Sequence, residues 1–110
     1  MGETLTLVAL AAQPERYQLI DLRDALEFAV AHVEGALNIP LADLATRADE
    51  IPAGLIPVAV CNWGGSRSAE GAAMLRRLGH EGTLTLEGGT QAWLAAAQKL
   101  ALDVPKPEER

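Results

Sequence analysis

The chain holds a single cysteine, Cys61, followed at once by Asn62, Trp63, Gly64, Gly65, Ser66, Arg67 and Ser68. Gly64 and Gly65 permit backbone angles closed to other residues, so the chain can curl there around a small object. No residue from Asn62 to Ser68 is proline, so every amide N–H is available. Successive amides turned inward make an anion nest. A helix beginning after the loop would add its N-terminal dipole and unpaired donors. Arg67 brings a permanent charge on a planar fork. Each of these favours thiolate over thiol, and the thiolate is the nucleophile. The pattern therefore suggests covalent chemistry on a small oxyanion, with Cys61 attacking and Asn62, Trp63, Gly64, Gly65, Ser66 and Arg67 forming the binding loop.

A plainer account exists for each residue. A lone cysteine ending a buried strand is often just a small apolar residue, and a Gly-Gly pair before a helix is often only a tight connection. Two glycines, an arginine and a helix start in sequence after Cys61 favour the functional account. Ser66 and Ser68 can serve as helix caps, Ser68 above all, which makes it a supporting residue. Trp63 either shapes the mouth of a pocket or packs on a neighbouring helix.

Other conspicuous residues read mainly as structure. Asp21 and Arg23 close a strand and are expected to form a partly buried ion pair that orders the loop before Asp24. His32 and His80 have no cysteine partner, so no metal site is expected. His32 is expected to bond backbone in a turn, His80 to be solvated in one, and Arg76 and Arg77 to lie on a solvated face. Gly88-Gly89 reads as a tight strand-to-helix turn, because no Lys-Ser/Thr pair follows it. Trp93 reads as core.

The elements that must position these residues alternate between two periods. Strands are expected at Thr4–Leu7, Tyr17–Ile20 ending at Asp21, Ala36–Ile39, Val58–Cys61 and Thr83–Leu86. A short helix from Val8 to Gln13 is stopped by Pro14. Asp24 and Glu27 have capping-box spacing and open a helix through about Ala31. Leu41, Leu44, Ala48 and Ile51 recur at helical spacing up to Pro52. Ala69, Ala72, Leu75 and Leu78 mark one helix face, with Gly79 at the left-handed C-terminal position. Thr90 caps a last helix ended by Val104-Pro105, and a tail follows. Strands alternating with helices imply one α/β domain: a mostly parallel sheet of about five strands with helices on both faces. Its core covers about residues 4 to 104. In such sheets ligands bind beyond the carboxyl ends of the strands, where Cys61 lies.

Composition narrows the function further. The chain has 110 residues, 49% hydrophobic, with a formal net charge of −6. That is one domain with an adequate core. The acidic balance argues against nucleic-acid binding, which needs a basic footprint. No apolar run approaches a membrane span, and the amino terminus carries no basic region of a secretory signal. The pattern Met1-Gly2-Glu3-Thr4-Leu5-Thr6 fits loose myristoylation spacing by chance. The lone thiol fits a reducing, cytoplasmic compartment. Seven of the nine basic residues are arginine, which hints at a bacterial source.

Four stretches carry a resemblance to a known family. They are Leu19-Ile20-Asp21-Leu22-Arg23, the segment from His32 to Pro40, the loop from Cys61 to Ser68, and the segment from Leu86 to Trp93 with Gly88-Gly89. In this order they resemble single-domain rhodanese sulfurtransferases. The resemblance implies a five-stranded parallel sheet flanked by helices, and no cofactor. It implies that Cys61 takes sulfane sulfur from a small anionic donor such as thiosulfate, releases sulfite and carries a persulfide. A thiol or cyanide acceptor then removes the outer sulfur, a thioredoxin-like or sulfur-carrier protein being among the acceptors implied. One departure bears on substrate. Five residues separate Cys61 from Arg67, where the family commonly has four. That count matches the Cys-x5-Arg phosphatases and arsenate reductases of the same fold. Yet Val60 stands where those phosphatases usually carry histidine, and no acid lies in or beside the loop. Sulfur transfer is the first reading. A phosphatase or arsenate reductase, or a sulfur-relay or regulatory module without turnover, are the alternatives.

Overall fold

A computed structural model describes residues 3–103 of the chain. Met1, Gly2 and the segment 104–110 lie outside the described residues, and with them the expected Val104-Pro105 stop and tail. Five strands form one sheet in the order β1-β5-β4-β2-β3. They are β1 (Thr4–Leu5), β2 (Tyr17–Asp21), β3 (Leu37–Asn38), β4 (Ile56–Val60) and β5 (Leu84–Leu86), and every pair is parallel. Parallel neighbours need crossovers. Here those are α1 (Leu7–Ala12), α2 (Ala25–Val30), α3 (Leu44–Arg47) and α4 (Ser66–Arg77), with α5 (Gly89–Asp103) last.

Alternation along the central strands divides the core. Leu19, Val58 and Val60 face one cluster with Leu10 and Leu86, against which Trp93 of α5 packs. Ile20 and Ala59 face the other, with Leu44, Ala72 and Leu75 of α3 and α4. Successive strand side chains point to opposite faces, so both faces of β2 and β4 are covered. The register levels Asp21 with Val60, and the Leu22 amide donates to the Val60 carbonyl at 2.9 Å. The chain leaves β2 toward β3 on one side and β4 toward β5 on the other. The crevice of an open α/β sheet opens where directions diverge in this way, beyond the ends of β2 and β4.

Several boundaries differ from the sequence expectation for local reasons. The first strand stops at Leu5, because the Thr6 hydroxyl accepts from the Ala9 amide at 3.0 Å and starts α1 at Leu7. The stripe from Leu41 to Ile51 is one helical turn, α3, between two short 3-10 turns, Leu41–Asp43 and Ala48–Glu50. Thr90 does not cap α5; it lies inside the first turn, which begins at Gly89. Other expectations hold. The Asp24 amide donates to Glu27 Oε1 at 3.3 Å, closing the capping box on α2. Gly79 has φ +108 and ends α4: its amide donates to Arg76 O, and that of His80 to Leu75 O.

Candidate active site

β4 delivers Cys61 to the crevice, and the chain then bends through Asn62–Gly65 before α4 begins at Ser66. Gly64 supplies the bend with φ +78. Cys61 is 3% exposed. Burial pushes its thiol pKa up, since it penalises the charged form. The Ser68 hydroxyl and the backbone amides of Ser68, Gly65 and Gly64 outweigh that and hold the thiol below its ordinary value. These donors come from the loop and the first turn of α4, whose N–H groups lack helical partners.

Ser68 is not an N-terminal cap. It sits buried in the first turn of α4, and its hydroxyl donates to the Gly65 carbonyl at 2.9 Å. A hydroxyl has one hydrogen. That hydrogen serves Gly65 O in this structure, so it can reach Sγ only by turning from the carbonyl. The Ala69 amide, 3.3 Å from Gly65 O, still serves the carbonyl afterwards.

The loop is held from behind by the start of α5. The Thr90 amide donates to Cys61 O at 2.9 Å and the Gln91 amide to Asn62 O at 3.0 Å. Gln91 Nε2 donates to Asn62 Oδ1 at 2.8 Å, so the Asn62 side chain faces α5. A Cβ on Gly89 would come within 2.6 Å of Cys61 O and Gly64 N. The local pattern of Gly88-Gly89 specifies only a tight turn. Its placement after β5, which neighbours β4 in the sheet, is the signal that it could meet the cysteine loop.

The remaining expected site residues take distinct places. Trp63 is 71% exposed, which removes the option that it packs on a helix. Gly65 and Ser66 are exposed at the head of α4. Arg67 extends toward α2, with Nη1 3.7 Å from Glu27 Oε1. It was expected to lower the thiol, whereas hydroxyl and amide donors supply that effect. Asp21 and Arg23 form a fully buried pair: Nε reaches Oδ1 at 3.0 Å and Nη2 reaches Oδ2 at 2.9 Å. Arg23 Nη2 also donates to Ala31 O at 2.7 Å, and Asn38 Nδ2 donates to the carbonyls of Asp21 and Arg23. The pair ties the end of β2 to the end of α2 and β3, and does not reach the thiol loop.

His32 Nδ1 lies 2.8 Å from Phe28 O and its ring stacks on Phe28, as a turn residue would. His80 is half-buried rather than solvated. Arg76 is not surface decoration: it donates to Thr83 O at 2.9 Å and pairs with Glu3. Among the described residues no three His, Cys, Asp or Glu side chains cluster as metal ligands. No helix among them is long and apolar enough to cross a membrane.

Comparison with known proteins agrees with this geometry. The family model described as Rhodanese-like domain matches residues 6–96. A Bacillus subtilis protein named only as uncharacterized, YqhL, is 37% identical over 91 residues, covering 83% of this chain and 71% of that protein. An Allochromatium vinosum protein named Sulfurtransferase is 34% identical over 82 residues, covering 74% and 76%. The human single-domain sulfurtransferase superposes with a TM-score of 0.72 at 26% identity, covering 86% of this chain and 97% of that one. The chain belongs to the rhodanese-like domain family and has its sulfurtransferase fold.

Proposed function

We propose that this protein is a sulfurtransferase that carries a sulfane sulfur on Cys61. The observation that carries the reading is the thiol itself: buried, lowered by the Ser68 hydroxyl and three backbone amides, and placed at the end of β4. The thiolate attacks the outer sulfur of a small anionic donor such as thiosulfate. An S–S bond forms to Sγ, the donor's own S–S bond breaks, and its electron pair leaves with sulfite. The persulfide carries the charge next, and the amides of Gly64, Gly65 and Ser68 suit an anion there as they suit the thiolate. An acceptor thiolate or cyanide then attacks the outer sulfur and restores Cys61. A thioredoxin-like or sulfur-carrier protein is an acceptor of the right chemistry. This is ping-pong covalent catalysis and calls for no metal or organic cofactor.

The lone thiol also fits a reducing cytoplasm. The seven-residue span from Cys61 to Arg67 keeps one second reading, a phosphatase or arsenate reductase using the same thiolate. Steady-state assay with thiosulfate and cyanide, followed as thiocyanate, tests the proposal. Turnover lost in Cys61→Ser supports it. Full activity in Cys61→Ser, or turnover of an aryl phosphate alone, overturns it.

A further inference from the structure

The loop's own cation does not stand free. Arg67 Nη1 lies 3.7 Å from Glu27 Oε1, with the two side chains 41% and 40% exposed. An ion pair that loose and that wet adds little to stability. Arg67 stands in the first turn of α4, beside Ser68, so the pair sets the charge next to the Cys61 loop. Two further guanidiniums lie near this end of the sheet: Arg23, buried against Asp21 and Ala31 O, and Arg47, paired with Glu50 and 3.4 Å from Asn38 O. The Glu27–Arg67 pair therefore presents no net charge where a bare arginine would present one. An arriving dianion must draw Arg67 away from Glu27 or sit beside a carboxylate, and either lowers its affinity.

Glu27 is held in that place. It is the third residue of α2, where its Oε1 also accepts from the Asp24 amide at 3.3 Å. The far end of α2 is fixed by Arg23 Nη2 on Ala31 O. The capping role does not require the charge, because glutamine closes the same box.

We propose that Glu27 determines donor specificity by acting as a charge gate on Arg67, holding down affinity for small dianions relative to donors of lower charge. The substrate chemistry rests on the sulfurtransferase reading; the gate itself does not. With thiosulfate or a monoanionic aryl thiosulfonate the step is the same: Cys61 Sγ takes the outer sulfur, and sulfite or sulfinate leaves with the electron pair.

Glu27→Gln keeps the capping box and removes the charge, so it isolates the gate. Alkylation of Cys61 by anionic iodoacetate and neutral iodoacetamide reads the charge without any sulfur transfer. At low ionic strength the iodoacetate-to-iodoacetamide rate ratio should rise by roughly two- to fivefold in Glu27→Gln, the factor a surface carboxylate can supply. High salt should erase most of the gain. Thiosulfate KM should fall by a similar factor with kcat little changed, and the monoanionic donor should respond less. Glu27→Asp, which keeps the charge, should stay near the wild-type ratio. An unchanged ratio in Glu27→Gln with an unchanged melting temperature overturns the gate, as does an equal rise in Glu27→Asp, which would trace the effect to the cap. A raised ratio in a protein that never turns over thiosulfate sustains the gate and overturns the sulfurtransferase reading. An unchanged ratio beside normal thiosulfate turnover does the reverse.

Discussion

The Thr90 amide donates to the Cys61 carbonyl at 2.9 Å, across from the last strand's helix to the end of the central one. That bond turns the Cys61 carbonyl toward α5, and the Asn62 carbonyl is held there in the same way. The loop amides of Gly64 and Gly65 are left to face the thiol. The unpaired donors of one helix start thus organise the backbone that serves the other.

Gly89 makes that approach possible. It has φ +64, and a Cβ would meet Cys61 O, Gly64 N and Asn62 O within 2.7 Å. Gly89→Ala should cost about 2–3 kcal/mol, from left-handed strain and displaced backbone. Urea unfolding should show the loss, and the Cys61 alkylation midpoint should move to higher pH as the loop shifts.

Ser68→Ala removes the strongest group opposing burial at the thiol. The pH midpoint of iodoacetamide alkylation should rise, and sulfur-transfer activity at neutral pH should fall with the thiolate fraction. The sign for stability follows from linkage. The wild-type thiol is lowered by folding, so its contribution is present above the unfolded value and lost as pH falls through the folded one. The stability gap between wild type and Ser68→Ala should therefore widen toward alkaline pH. Below that window the gap should shrink to the loss of one buried hydrogen bond, about 1 kcal/mol.

Breaking the Asp21–Arg23 pair should act through the fold. Arg23→Met leaves Asp21, 0% exposed, as an uncompensated buried charge, at a cost of about 3–5 kcal/mol. Chemical denaturation of the single variant and of the Asp21→Asn/Arg23→Met double variant should show the double as the more stable of the two. A single variant as stable as wild type would remove the pair from its structural role.

The sequence made some of this readable and hid the rest. β4, the loop and α4 were legible because an apolar run ends in Cys61 and two glycines precede a helical stripe. The capping box and the Gly79 stop were legible because their geometry is local. Strand-like alternation continues through Leu7, while the Thr6 cap starts a helix there. The stripe from Leu41 to Ile51 has helical spacing, yet only Leu44–Arg47 forms α-helix. Thr90 has cap chemistry but donates its amide to Cys61 O, a contact made only by the folded sheet. Arg67 with Glu27, and Arg76 with Glu3, are likewise pairings between distant segments that no local pattern specifies.

Sulfur uptake by Cys61 underlies the proposed function. Intact mass of the pure protein before and after thiosulfate, without reductant, tests it most directly. A gain of one sulfur atom, absent in Cys61→Ser, is expected. No gain, with Cys61 still open to alkylation, would contradict thiosulfate as the donor and turn attention to phosphate and arsenate substrates.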